Sequence, residues 1–461
     1  MKKILVSICT LLIFGKNTFA ETNVDIKKYD WNGVDLIFLE DNRFPTFNML
    51  VYFADGALSD QPIKGETIHA FNYLTSGTDK YSEAEILDAY EFMGANFNSS
   101  VTHEYSTISL SGLMKDFSEA LKLTCHLLNS ANFPADKIKV ELEKEKSDLK
   151  SMIAEPQSLT ERVFREYSMR NTPYGYPVPG KLADLDKIES SNLRNKMNYF
   201  LKNVKKRIYV TAPKEFLSQK DFFINQCQFS GKGAQFVRTV PALKKENMNR
   251  KTPRVVFAPI EKGNQAQLRV GRFLDRSEIQ EKNLDTLASD FLGGGFTSKL
   301  MREIRVKRGL TYSVGSFISS QKEYGRAGIS TFTKNETINR LIEVIYSTLD
   351  NVKNKGVKTS ELELSRGGLI GSHPFKFESS DALLGQLIYL DHVEKPYTEL
   401  FNFHRDILKF SNKDVQKKLN KVFHSNDIIY FVLGDKSLQA ELSKLEKKFG
   451  PIEVLNTESY L

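Results

Sequence analysis

Arg305 and Tyr312 are the residues of this chain whose types and spacing point most directly to chemistry. Two hydrogen-bond donors, one of them a permanent cation, are what an electrophilic clamp on a negative oxygen requires. They lie in LGGGFTSKLMREIRVKRGLTYSVGS, residues 292–316. There Leu292–Phe296 closes an apolar segment with three glycines, Thr297 or Ser298 caps a short helix, SKLMREIRVKR, and Gly309 ends it. Leu300, Met301 and Ile304 share one face of that helix. Arg305 then falls in its last turn, and Tyr312 opens a β-like run, TYSVGSFIS. On spacing alone the ordinary expectation is a surface arginine and a half-buried strand aromatic.

Few other residues compete. His103-Glu104 is followed by Tyr-Ser-Thr, so it is not H-E-x-x-H, and His126, His373, His392, His404 and His424 are scattered. Isolated histidines of this kind are usually structural. The chain has no G-x-S-x-G elbow, and the glycines at 293–295 lack the G-K-[ST] of a phosphate loop, which leaves a tight turn.

Residues 292–316 closely resemble the second-half signature of the insulinase-like M16 metallopeptidases, including bacterial relatives of mitochondrial processing peptidase. The resemblance implies that Arg305 and Tyr312, on the family's R-x6-Y pattern, reach across a chamber to hold substrate backbone and steady the oxyanion. It also makes the glycine stretch a hinge or lid segment. It extends over almost all of the chain beyond residue 20, through 172–185 (TPYGYPVPGKLADL), Gln265–Gly271, 365–374 (SRGGLIGSHP) and 428–435 (IIYFVLGD).

An active member of that family carries H-x-x-E-H on a helix, two zinc ligands and a general base, with a further Glu ligand about 77 residues on. The matching positions here are His69-Ala70-Phe71-Asn72-Tyr73, and the same count from Tyr73 reaches Lys150. Asn72 cannot take a proton from water, Tyr73 offers a phenol of high pKa, and the Lys150 cation would repel a metal. His69, Asn72, Tyr73 and Lys150 are therefore expected to bind no metal, with His69 a hydrogen-bonded helix residue. The resemblance then implies a non-zinc subunit that lends Arg305 and Tyr312 to a zinc-bearing M16 partner acting on peptides. The alternatives are a catalytically inactive peptide-binding or structural assembly protein, and hydrolysis by an unrecognised site.

The elements that must position these residues come in the same layout twice. Strand-like 34–40 and 47–58, a helix near 66–75, a helix at 82–93 and strands across 96–113 form the first copy. Segments 254–260 and 265–274, a helix at 281–292, the helix ended by Gly309 and strands to about 333 form the second. Each copy continues into further helices, among them a long charged one bracketed by Pro134 and Pro156. The fold class expected is α+β, two homologous domains each with a mainly antiparallel sheet and helices packed on it. Residues 21–230 form the first domain, 231–253 a polar basic linker and 254–461 the second.

Length and composition agree with this division. The 461 residues suit two domains, and 40% hydrophobic with 26% charged residues is ordinary for a globular chain. Residues 1–20 read as a signal peptide cleaved after Ala20, which predicts a periplasmic or secreted protein without a stable membrane anchor. The formal charge is +8 and includes Lys2, Lys3 and Lys16. With neither aromatic interleaving nor a nucleic-acid motif, no nucleic-acid partner is expected. Cys125 sits in the apolar helical run EALKLTCHLL, where a buried core thiol is the simpler expectation, although Cys227 offers a partner in an oxidising compartment.

Overall fold

The structure is a computed structural model that describes residues 26–231, 252–424 and 426–461. The expected signal peptide and nearly all of the expected linker lie outside the described residues.

Two six-stranded sheets organise the chain. The first contains β1 (Ile26–Trp31), β2 (Val34–Glu40), β3 (Thr46–Phe53), β4 (Asn96–Val101), β5 (Ser106–Leu113) and β6 (Lys206–Ala212), in the order β1-β2-β6-β3-β5-β4. The second contains β7 (Arg254–Ile260), β8 (Gln265–Asp275), β9 (Val314–Ser320), β10 (Tyr324–Lys334), β11 (Ile429–Asp435) and β12 (Glu453–Val454), in the order β12-β7-β11-β8-β10-β9. Most neighbours are antiparallel; β2–β6, β7–β11 and β7–β12 are parallel. Position by position, β2, β3, β4, β5 and β6 correspond to β7, β8, β9, β10 and β11. The repeated layout is thus a repeated topology, an α+β fold.

The strand sequences explain how these sheets are covered. In β2 the run Leu36, Ile37, Phe38 and Leu39 is buried throughout, as expected where helices cover both faces of a sheet. Phe47, Met49, Val51 and Phe53 of β3 alternate into the first core, against Phe71, Phe117 and Leu121. The opposite face is covered from the other half of the chain: Leu384, Leu387 and Ile388 of helix Ser380–His392 pack on Ile37, Leu39 and Tyr209. Reciprocally, Leu159, Val163 and Phe164 of helix Pro156–Ser168 pack on Val256, Ala258, Ile429 and Phe431. Each half therefore lends a helix to the other half's sheet. With each buried aliphatic side chain contributing about 1.5–3 kcal/mol, the exchange holds the halves together through apolar burial.

Polar groups reinforce the junction beside helix Ser380–His392. His392 lies between Glu104 Oε2 (2.8 Å) and the Tyr52 hydroxyl (3.0 Å), while Asp391 accepts from Tyr209 and Tyr397, both at 2.6 Å. Cys125 departs from the sequence expectation of a free core thiol. It forms a disulfide with Cys227, joining helix Phe117–Ser130 to helix Lys220–Cys227 across 102 residues of sequence. Helix packing places the two Cα atoms 4.7 Å apart, a proximity that no local sequence pattern reveals.

Candidate functional site

Helix Glu66–Asn72 carries the degenerate motif. Its entry is fixed by Asp60, which accepts hydrogen bonds from the amides of Gly65 (3.2 Å) and Thr67 (3.1 Å) and lies 3.1 Å from the Lys196 ammonium. Gly65 has φ of 88°, and a Cβ there would stand 2.6 Å from the Pro179 carbonyl oxygen, so the turn needs glycine. That same carbonyl receives the His69 side chain, with Nε2 at 3.2 Å. A carbonyl only accepts, so this bond places the proton on Nε2 and leaves Nδ1 as a lone pair. Nδ1 lies 3.3 Å from Glu145 Oε2, without the geometry of a hydrogen bond.

Burial dominates the electrostatics of this group. His69 is 1% exposed, and burial pushes its pKa down to about 4, only partly offset by the bond to Pro179. The Glu145 carboxyl is held above its ordinary value by burial, with the Tyr73 hydroxyl bonded to it at 3.4 Å working in the other direction. The Tyr73 ring lies nearly parallel to that of His69, with centroids 5.5 Å apart, and burial raises its phenol pKa further. Asn72 points away, exposed, and accepts from the Ser99 hydroxyl of β4 at 3.2 Å.

Lys150, the residue that the family count reaches, does not approach His69. It is exposed near the end of helix Ala135–Ser151, and the side chain that reaches His69 is Glu145. The helix periodicity accounts for the difference. Ile138, Leu142 and Leu149 are its buried face, and Glu145 lies three residues after Leu142 and four before Leu149. A count down the chain does not follow that face, whereas the apolar spacing identifies it.

The resulting donor set does not fit zinc. One imidazole has its Nε2 committed to Pro179, the second histidine position is a phenol resistant to ionisation, and the general-base position is an amide. Among the described residues no cluster of three or more histidine, cysteine, aspartate or glutamate side chains could hold a metal ion. The other histidines have structural surroundings: His103 bonds the Tyr176 carbonyl, His126 lies beside Thr78, and His373 stacks on Phe403.

Arg305 and Tyr312 do come together. The short helix expected from 298 onward forms, but Met301–Val306 is wound as a π-helix, with the Leu310 amide bonded to the Ile304 carbonyl beyond it. Such wider turns re-aim side chains and recur at functional sites. The Arg305 guanidinium carbon lies 4.7 Å from the Tyr312 ring centre and 5.5 Å from that of Phe296. Tyr312 precedes β9 instead of lying within it, and its 74% exposure replaces the half-buried strand aromatic expected from spacing. Neighbouring cations are engaged, Arg302 with Glu361 and both Lys307 and Arg308 with Glu303. Arg305 has no carboxylate within ion-pair distance among the described residues. Sequence reasoning missed Phe296, whose signal is an exposed aromatic beside the glycines. Among the described residues no hydrogen bond, ion pair or ring contact links the His69 group to Arg305 or Tyr312.

With this geometry in view, similarity to known families becomes informative. Residues 40–181 match the family described as insulinase (peptidase family M16), and residues 220–369 match the peptidase M16 inactive domain. The chain belongs to the M16 family. The two matches fall in the order of the two sheets, the first spanning His69 and Glu145 and the second spanning Arg305 and Tyr312. Among M16 relatives, a protein of Helicobacter pylori named non-peptidase homolog YmxG is 23% identical over 446 residues, 95% of this chain and 99% of the relative. One of Bacillus subtilis, named uncharacterized zinc protease YmxG, is 24% identical over 369 residues, 78% and 87% of the two chains. The fold is shared with a peptidase M16 inactive domain from Pseudomonas fluorescens, with a TM-score of 0.78 and 19% identity over 89% of this chain and 98% of that one. A protease from Helicobacter pylori superposes with a TM-score of 0.71 and 14% identity over 88% and 99%.

Proposed function

We propose that this chain is the non-zinc subunit of a periplasmic or secreted M16-type zinc peptidase, supplying Arg305 and Tyr312 to the active site of a zinc-bearing M16 partner. The carrying observation is the contrast between two places. Arg305 and Tyr312 are adjacent, accessible and, among the described residues, without an opposing carboxylate, whereas the metal-motif position is filled by a buried neutral imidazole, a phenol and one carboxyl. In the assembled complex an extended peptide adds to a sheet edge, zinc in the partner supplies the hydrolytic chemistry, and this chain's guanidinium and phenol donate to the carbonyl oxygen as it gains charge. Two donors that strengthen with that charge lower the barrier without needing a metal of their own.

Location outside the cytoplasm is supported by the signal-like residues 1–20 and by the Cys125–Cys227 disulfide, a bond that persists in oxidising compartments. Among the described residues no helix is long and apolar enough to cross a membrane. A second reading, a non-hydrolytic peptide-binding or assembly protein, is favoured by a groove of about 590 Å³ beside edge strand β4, lined by Asn72, Phe97 and Ser99. The name of the Helicobacter pylori relative is in keeping with that reading. Recovery of the tagged chain from its own cells separates the two. A co-purifying chain of similar size bearing H-x-x-E-H, with about one zinc per complex, supports the shared site; a metal-free homo-oligomer contradicts it.

A further inference from the structure

Helix Pro156–Ser168 of the first half carries Glu161 and Arg165 onto the second sheet, where they meet two further arginines. Arg269 of β8 and Arg326 of β10 leave the same face of that sheet. Arg269 stands opposite Ser330, four residues from Arg326, and strand side chains an even number apart share a face. The Glu161 carboxylate lies between the two, accepting from Arg326 Nη2 at 2.9 Å and standing 3.7 Å from Arg269 Nε.

That bridge leaves Arg165 over. A Glu and an Arg four residues apart on a helix ordinarily pair, but Glu161 is turned to the sheet arginines. Arg165 has no carboxylate within ion-pair distance among the described residues, and its Nη2 donates instead to His103 Nδ1 at 3.4 Å. His103 can only accept there, because its Nε2 proton goes to the Tyr176 carbonyl at 2.8 Å. Burial, aided by Arg165, pushes the His103 pKa down to about 4, so this ring brings no charge near neutral pH. The neighbouring Glu104 is engaged elsewhere, with the Tyr174 hydroxyl on one oxygen and His392 Nε2 on the other, each at 2.8 Å. Three guanidiniums therefore face one carboxylate where the two halves meet.

The group is also incompletely bonded. Arg269 is 5% exposed, and its Nε has no hydrogen-bond partner among the described residues, an arrangement that proteins rarely leave unsatisfied. One side is open to solvent, since the Glu161 side chain is 46% exposed and Arg165 is half-buried. We propose that Arg165, Arg326 and Arg269 form a carboxylate-binding site at this junction, taking the carboxylate of a peptide or of a small organic acid. A guanidinium presents a planar fork of donors that matches a carboxylate bidentately. Arg165, steadied through Nη2 by His103, supplies that fork, and the two sheet arginines supply the surrounding positive field. None of these residues belongs to the His69 group or the Arg305 group, so the site does not rest on the shared-active-site reading.

The test is isothermal titration calorimetry on the full mature chain at low ionic strength, without zinc or a partner. The probes are succinate and the blocked peptide N-acetyl-Gly-Glu-Gly amide, whose single charge is its side-chain carboxylate. Saturable binding of either is expected, and the tighter probe tells a small acid from a peptide as the source; the Gln counterpart of the peptide should not bind. Affinity should fall as salt rises. Arg165→Gln, which leaves the Glu161 bridge in place, should weaken binding about tenfold or more with circular dichroism unchanged. Glu161→Gln removes the competing carboxylate and should tighten binding, a change that a purely structural cluster would not produce. No saturable binding of either probe, or an affinity unchanged in a folded Arg165→Gln variant, overturns the proposal.

Discussion

His69 shows how a side chain that could bind metal is put to structural use. The Pro179 carbonyl fixes its tautomer, and Tyr73 and Glu145 close the other side. A histidine whose folded pKa is about 4 takes up no proton between pH 6.5 and 4, whereas the unfolded chain does. Its contribution to stability is therefore complete above about pH 6.5 and lost as pH falls toward 4. Other groups titrate in this window, among them Asp285, raised to about 6 by burial, so the informative quantity is a difference between variants. His69→Gln keeps a donor for Pro179 and removes the titration. Its urea midpoint relative to the parent should improve on going from pH 7 to pH 5; an unchanged or worsening difference would show that His69 is not buried and neutral. Arg305 is organised in the opposite sense, with an exposed ring at its side and, among the described residues, no carboxylate opposing it.

At the scale of elements, the exchanged helices and the disulfide carry the testable consequences. Leu387 is fully buried against the first sheet, so Leu387→Ala should cost about 2–5 kcal/mol in chemical denaturation. A loss below about 1 kcal/mol would mean that helix Ser380–His392 does not couple the halves. The Cys125–Cys227 bond closes a loop of 102 residues, and Cys125→Ser with Cys227→Ser should lower stability by about 2–5 kcal/mol. Mass spectrometry of the native protein finding two free thiols would refute the bond directly. Most elements were legible in the sequence because their signals are local. The strand at Val34–Glu40, the helix capped by Ser82 and the strand at Arg254–Ile260 fall within a residue or so of the apolar patterns that mark them. Contacts between elements distant in the chain were not legible. Cys227 beside Cys125, Glu145 beside His69 and the helix exchange depend on packing, and the π-helix at Met301–Val306 is hidden because its apolar spacing reads equally as an α-helix.

For the whole molecule, the repeated topology means that each half presents its own edge strand, β4 beside Asn72 and β9 following Tyr312. Among the described residues, one half carries at its motif helix a donor set that does not fit zinc, and the other places Arg305 beside Tyr312. The proposed division of labour with a second M16 chain would give those donors a function, and the partner's activity is where it would register. The most direct measurement is peptide cleavage by the native complex carrying Arg305→Ala and Tyr312→Phe, with partner zinc content and assembly measured on the same sample. Removal of oxyanion donors predicts a fall in kcat of about 10²–10³-fold with zinc and assembly retained. Cleavage at the parental rate by an intact, zinc-loaded complex would contradict the shared active site.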